Sequence, residues 1–208
     1  MKLQIALDDI TLCDAVNLIS SIKENIDIIE IGTPMVIEYG MNAVRTMKEK
    51  FPEIEVLADL KIMDAGYYEA SQAFKAGADY ITVLGVTDNL TIKSCVDAAK
   101  EYNGQVVVDM ICVPNLEERI HKMEELGVHY LSVHVGVDQQ AEGRTPLDDL
   151  RIMKNTATCT KISVAGGISL ETIHAYIELN PDAVIVGGGI AHSNNPKEAA
   201  KAIYQAIQ

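Results

Sequence analysis

The 208-residue chain carries 17 Lys and Arg against 30 Asp and Glu, a formal net charge of -13. Long-range repulsion therefore excludes a general nucleic-acid or anionic-membrane surface, while leaving room for a local cationic pocket that takes a small anion. No apolar run approaches the ~18 residues of a membrane span, "MKLQIALDD" meets acid too soon for a signal peptide, and Cys13, Cys95, Cys112 and Cys159 form no C-x-x-C pair, so a cytoplasmic protein with reduced cysteines is expected.

The first short apolar run, "LQIAL" from residue 3, leads to Asp8. The second, "IDIIEIG" from 26, contains Glu30 and is followed by the amphipathic stretch "PMVIEYGMNAVRTMKEKF". "EVLADL" from 55 places Asp59 and then Lys61 at its end, with Asp64 three residues further on at the start of the next helix. "DYITVLG" from 79 precedes a second clear helical stretch, "NLTIKSCVDAAKEYN". "QVVVDMI" from 105 contains Asp109, and "HYLSVHV" from 129 contains His134. A polar loop, "DQQAEGRTP", follows; its Arg144 reads as part of a solvated segment or a lid. "KISVAGG" from 161 and "DAVIVGGG" from 182 end in glycines, and "PKEAAKAIYQAI" closes the chain.

These eight runs are rich in β-branched residues and nearly continuous in hydrophobicity, as strands of a parallel sheet covered by helices should be. Their starts recur every 21 to 32 residues, the span of one βα unit. Eight units predict a single α/β domain over residues 1–208, a closed (β/α)8 TIM barrel, with a doubly wound open sheet as the alternative. A weak echo between Gly77-Ala78-Asp79-Tyr80-Ile81-Thr82-Val83 and Gly127-Val128-His129-Tyr130-Leu131-Ser132-Val133, each a helix-end glycine leading into a strand, supports repeated units.

The working face of such a barrel lies at the C-terminal strand ends. Alternation puts Asp59 and Lys61 on one side of the third strand and Leu60 on the other. A lysine among carboxylates sustains charge on both partners where apolar surroundings alone would not. Glu30 and Asp59, from neighbouring strands, supply hard oxygen ligands suited to a Mg²⁺ ion that keeps several waters; Mn²⁺ accepts the same donors. One such carboxylate alone reads as a rim ion pair, but five strand ends carry charge together. Gly166 and Gly167, then Gly188 and Gly189, follow the last two strands, where backbone N–H groups can approach a phosphate closely and a following helix would add its dipole. His134 is the one histidine at a predicted strand end and so a candidate acid or base.

The ordered set Asp8, Glu30, Asp59-x-Lys61-x-x-Asp64, His134 and the two glycine loops resembles the orotidine 5'-monophosphate decarboxylase suprafamily over essentially the whole chain. Within it the pattern is most similar to the aldolase branch that forms a 3-hexulose 6-phosphate. The nucleotide decarboxylases have lysine where this chain has Glu30, and they use no metal. The 3-keto-L-gulonate-6-phosphate decarboxylases share the metal carboxylates but carry arginines at the positions of Val137 and Gly188. One departure from the aldolase pattern is Val135, where a small polar residue often follows the histidine.

The resemblance implies a reversible, Mg²⁺-dependent addition of formaldehyde to D-ribulose 5-phosphate, giving D-arabino-3-hexulose 6-phosphate through an enediolate. Glu30 and Asp59 would hold the metal, and Lys61 would meet the enediolate oxygen. His134 would move the proton, Asp8 and Asp109 would orient hydroxyls or neighbouring groups, and the glycine loops would hold the phosphate. Asp64 would reach into the partner's site of a homodimer; from the residues alone it reads equally as a helix N-terminal acid. The alternatives are the keto-gulonate phosphate decarboxylase, acting on its own sugar phosphate, and a barrel that binds sugar phosphate without catalysis.

Overall fold

The computed structural model describes residues 1–208. Eight strands, β1 (Lys2–Leu7), β2 (Ile28–Ile31), β3 (Glu55–Ile62), β4 (Tyr80–Leu84), β5 (Gln105–Asp109), β6 (Tyr130–His134), β7 (Lys161–Ala165) and β8 (Ala183–Val186), pair in parallel in chain order. Pairing of β8 with β1, Ala183 against Lys2 through Val186 against Ile5, closes the cylinder. The closed (β/α)8 barrel read from the eight runs is the observed fold.

The helices are α1 (Leu12–Ile22), α2 (Thr33–Tyr39), α3 (Met41–Lys50), α4 (Gly66–Lys75), α5 (Asn89–Tyr102), α6 (Leu116–Leu126), α7 (Val137–Ala141), α8 (Leu147–Thr156), α9 (Ile173–Ile177), α10 (Gly188–Ala191) and α11 (Pro196–Ala206). The amphipathic stretch after β2 is two helices. Gly40, at φ 56 and ψ -151, breaks it in a conformation that a side chain would oppose. No helix is long and apolar enough to cross a membrane.

Most of the core lies outside the cylinder. A cluster of 52 buried residues joins the outward faces of the strands to the helices, whereas Ile28, Leu57, Tyr80, Val107 and Tyr130 make a separate group of five inside the barrel. The lower barrel is thus plugged, and chemistry is confined to the upper end. Of the cysteines, Cys95 is buried in α5, while Cys13, Cys112 and Cys159 are exposed, the last two in loops.

Within the echoed segments Asp79 and His129 hold equivalent positions, and the clamp they make recurs four times around the barrel. Asp27, Asp79, His129 and Asp182 each precede an even-numbered strand. Their side chains accept the N–H of Leu3, Val56, Val106 and Ile162, near the starts of the odd-numbered strands. Each residue also donates its own N–H back to the same strand. Burial, helped by Lys100 and Lys161, lowers the His129 pKa and favours the neutral ring needed to accept at Nδ1.

A second clamp fixes the far side of the molecule. The Glu124 carboxylate on α6 accepts N–H bonds from Thr158, Cys159 and Thr160 ahead of β7. Burial opposes its charge, but these bonds win and bring its pKa down to about 2. A depressed carboxylate stabilises the fold above its unfolded pKa and ceases to do so as pH falls through the folded value. Glu124→Gln is therefore expected to cost about 1 kcal/mol, roughly 2–4 °C in Tm. The gap from the parent should be full at pH 6 and shrink toward pH 2; a gap unchanged across that range in thermal melts would show that charge is not its source.

Candidate active site

Inward positions of the strands become polar towards the C-terminal end. Gln4, Glu30, Asp59, Thr82, Asp109, Ser132 and Ser163 are all buried. They form a polar floor above the apolar plug. Gln4 is paired with Glu30, Thr82 with Asp59 and Asp109 with His134, as the cost of an unpaired buried polar group demands.

Asp59 is the hub of this floor. It is 5% exposed. Thr82 Oγ1 donates to its Oδ1 at 2.7 Å, Thr33 Oγ1 lies 2.8 Å from its Oδ2, and Lys61 Nζ pairs with the same Oδ2. Lys61 also reaches Asp109 Oδ2 at 3.5 Å. Burial works against the ammonium form of Lys61, but Asp59 and Asp109 outweigh it and raise its pKa. Lys61 is a fixed positive charge at the mouth of the barrel.

Asp109 connects this lysine to the histidine. Its Oδ2 faces His134 Nδ1 at 2.8 Å, and its Oδ1 accepts the Ile111 N–H at 2.9 Å. Burial alone would raise the Asp109 pKa; the His134 bond and charge, then Lys61 and the Ile111 N–H, bring it below the usual carboxylate range. In the neutral form of the ring, a carboxylate against Nδ1 makes that nitrogen the donor and leaves the lone pair on Nε2.

Glu30 lies at the barrel wall beside Asp59, with Gln4 Nε2 donating to its Oε2 at 2.6 Å. Burial first, then the negative charge of Asp59, pushes its pKa up to about 8 despite the Gln4 bond. Asp8 stands above at the rim, its pKa also raised by partial desolvation and by Asp59. Gly32 makes room for it: a methyl there would fall 2.1 Å from Asp8 Oδ1. Two adjoining carboxylates whose charges oppose each other are a donor set that a divalent cation relieves. Hard oxygen donors of this kind suit Mg²⁺, which takes one or two carboxylates and leaves its remaining positions to water and substrate.

The glycine loops close one side of the mouth. Gly166 and Gly167 have φ 128 and 65, open to glycine and strained for other residues. A methyl on Gly189 would lie 2.7 Å from the Ile168 carbonyl oxygen, so the loops after β7 and β8 run side by side only because it is absent. The expected helix dipole is weaker than the sequence suggested. No helix begins until Ile173 after the first loop, and α10 has four residues.

The structure thus brings together Glu30, Asp59, Lys61, Asp109 and His134, with Asp8 and the glycines around them. It does not bring Asp64 to them within one chain. Asp64 is exposed, and its Oδ1 accepts only the N–H of Ala65. Sequence reading missed Gln4, Thr33 and Thr82, which hold the acids. Gln4 and Thr82 were detectable as polar residues at inward positions inside otherwise apolar runs; Thr33, at the turn after β2, gave no periodic signal.

The chain matches, over residues 1–203, the family described as orotidine 5'-phosphate decarboxylase / HUMPS. A 3-hexulose-6-phosphate synthase of Bacillus subtilis is 48% identical over 207 residues, covering 100% of this chain and 99% of that one. The crystal structure of a 3-hexulose-6-phosphate synthase from Salmonella typhimurium has a TM-score of 0.98 at 53% identity, covering 100% and 98% of the two chains. That of a 3-keto-L-gulonate-6-phosphate decarboxylase from Vibrio cholerae has a TM-score of 0.87 at 30% identity, covering 99% and 96%.

Proposed function

The chain belongs to the orotidine 5'-phosphate decarboxylase / HUMPS family and is an enzyme of the 3-hexulose-6-phosphate synthase type, and from that premise we propose that it adds formaldehyde reversibly to D-ribulose 5-phosphate through an enediolate. The observation that supports the chemistry is the shared Asp109 carboxylate, which sets the Lys61 ammonium and the His134 ring around one point at the barrel mouth.

In this reading His134 Nε2 removes a proton from C1 of the ketose, the carbon beside its carbonyl. Lys61 offers positive charge to the oxygen on which negative charge develops. The C1 carbanion form of the enediolate attacks formaldehyde, and the new alkoxide takes up a proton. Asp109 holds the imidazole orientation, and Asp8 orients a substrate hydroxyl. The backbone amides of Gly166, Gly167, Gly188 and Gly189 cradle the phosphate, so the reacting end has one place to lie. Glu30 and Asp59 would hold Mg²⁺, which when bound supplies a Lewis acid to the carbonyl and neighbouring hydroxyl oxygens.

The same core would serve the keto-gulonate phosphate decarboxylase, whose fold superposes closely. The two are separated by a paired assay of metal-loaded protein: formaldehyde consumption with D-ribulose 5-phosphate against CO2 release from 3-keto-L-gulonate 6-phosphate, each with and without chelator. Chelator-sensitive formaldehyde consumption should dominate. Dominant CO2 release would reassign the site, and silence in both would favour a sugar-phosphate-binding barrel.

The proposed assembly is a homodimer with shared sites. Asp64 edges a surface hollow of about 400 Å³ lined by Tyr67, Tyr68 and Leu90. Met63, Tyr68 and Leu90 are 53%, 67% and 80% exposed, an apolar surface suited to a second copy. Mixing Asp64→Asn with Lys61→Ala protein should restore roughly a quarter of wild-type activity, because half the dimers are hybrid and each hybrid holds one complete site. No recovery despite verified subunit exchange would place Asp64 outside catalysis.

A further inference from the structure

The pairing of β3 with β4 is irregular at the site. Leu57 faces Tyr80 and Ala58 faces Ile81, and the ladder resumes only at Ile62 against Val83. Asp59, Leu60 and Lys61 on β3 are therefore opposed by one β4 residue, Thr82. Lys61 within this bulge has φ 47, in the left-handed region that a lysine adopts at a cost. Such a conformation persists only where neighbours hold it, and bulges of this kind re-aim a side chain.

Thr82 is buried, 5% exposed, and its hydroxyl meets both functional residues of the bulge. It accepts the Lys61 N–H at 2.9 Å and donates to Asp59 Oδ1 at 2.7 Å. A hydroxyl has one proton. With the Lys61 N–H on a lone pair, that proton is directed at Asp59, so one group fixes the backbone of the lysine and the orientation of the carboxylate that pairs with it. Lys61 Nζ then meets Asp59 Oδ2 and stands 3.5 Å from Asp109 Oδ2.

We propose that Thr82 is a positioning residue for the reaction: it locks the left-handed backbone of Lys61 and the Asp59 carboxylate into one geometry, aiming the ammonium at the developing charge. The kinetic part of this rests on the enediolate reading above; the structural part does not. Thr82→Val keeps the volume and β-branching but removes the hydroxyl, whereas Thr82→Ser keeps it.

The test combines steady-state kinetics of both variants with their crystal structures. Thr82→Val should lose about 10- to 100-fold in kcat, with KM for D-ribulose 5-phosphate within about threefold, since the phosphate is held elsewhere. Its Lys61 should leave the φ near 47 seen here. Thr82→Ser should stay within about threefold of wild type and keep that φ. A Thr82→Val enzyme with kcat within threefold and Lys61 unmoved would overturn the proposal, as would a Thr82→Ser enzyme as impaired as Thr82→Val. A residue with a stabilising role only would lower Tm and leave kcat unchanged well below it. If wild-type protein does not turn over D-ribulose 5-phosphate, the enediolate reading fails on its own, and the two structures still decide whether Thr82 sets Lys61.

Discussion

Lys61→Ala is expected to lower kcat by about 10³-fold or more while leaving KM for D-ribulose 5-phosphate within a few-fold. In the proposed mechanism the lysine stands where negative charge develops on the substrate, and its own charge is maintained by Asp59 and Asp109. A preorganised cation of this kind contributes mainly in the transition state, so its loss should fall on kcat. In the proposed reading phosphate affinity resides in the glycine loops after β7 and β8, not in Lys61. Lys61→Arg should not rescue, because a planar fork cannot take the place of a compact ammonium already engaged by two carboxylates. Equal losses in turnover and affinity would show that Lys61 binds substrate instead of stabilising the reacting form.

Glu30→Gln is expected to abolish most metal-dependent turnover, by about 100-fold or more, with a parallel loss of Mg²⁺ affinity in calorimetry. The substitution is nearly isosteric, and Gln4 beside it can still find an acceptor in the new amide oxygen. Fold stability should therefore hold. The buried Glu30 carboxylate is unfavourable in the metal-free protein, since burial and Asp59 both disfavour its charge. That arrangement is intelligible if the carboxylate waits for a cation. Undiminished activity and unchanged Mg²⁺ binding would remove Glu30 from the ligand set.

The barrel was legible because parallel strands buried on both faces write themselves as continuous apolar runs, and all eight runs became strands. The acids and the lysine were legible for the opposite reason: charge at the end of a buried strand has few structural uses. Asp59 and Lys61 do share a side, as alternation required, but through a bulge and a left-handed lysine that no periodicity announces. Gly40 likewise divides one amphipathic pattern into α2 and α3, since the apolar spacing continues across the break. Thr82 and Gln4 left only the weak trace of a polar residue at an inward position of an apolar run; what they hold, Asp59 and Glu30, emerges only across the barrel. Asp64 is the inverse case. Its motif spacing drew attention to it, yet within one chain it is exposed and accepts only the Ala65 N–H, so the proposed role in the site requires a second copy.

Proton removal from C1 of the ketose phosphate at the Lys61–Asp109–His134 cluster is the central step of the proposed reaction. The most direct test is NMR of D-ribulose 5-phosphate in D₂O with metal-loaded protein and no formaldehyde. One C1 proton should exchange for deuterium, in wild type but not in Lys61→Ala, at a rate at least matching turnover with formaldehyde. Product formation with formaldehyde while the C1 protons of the free ketose stay unexchanged would contradict it.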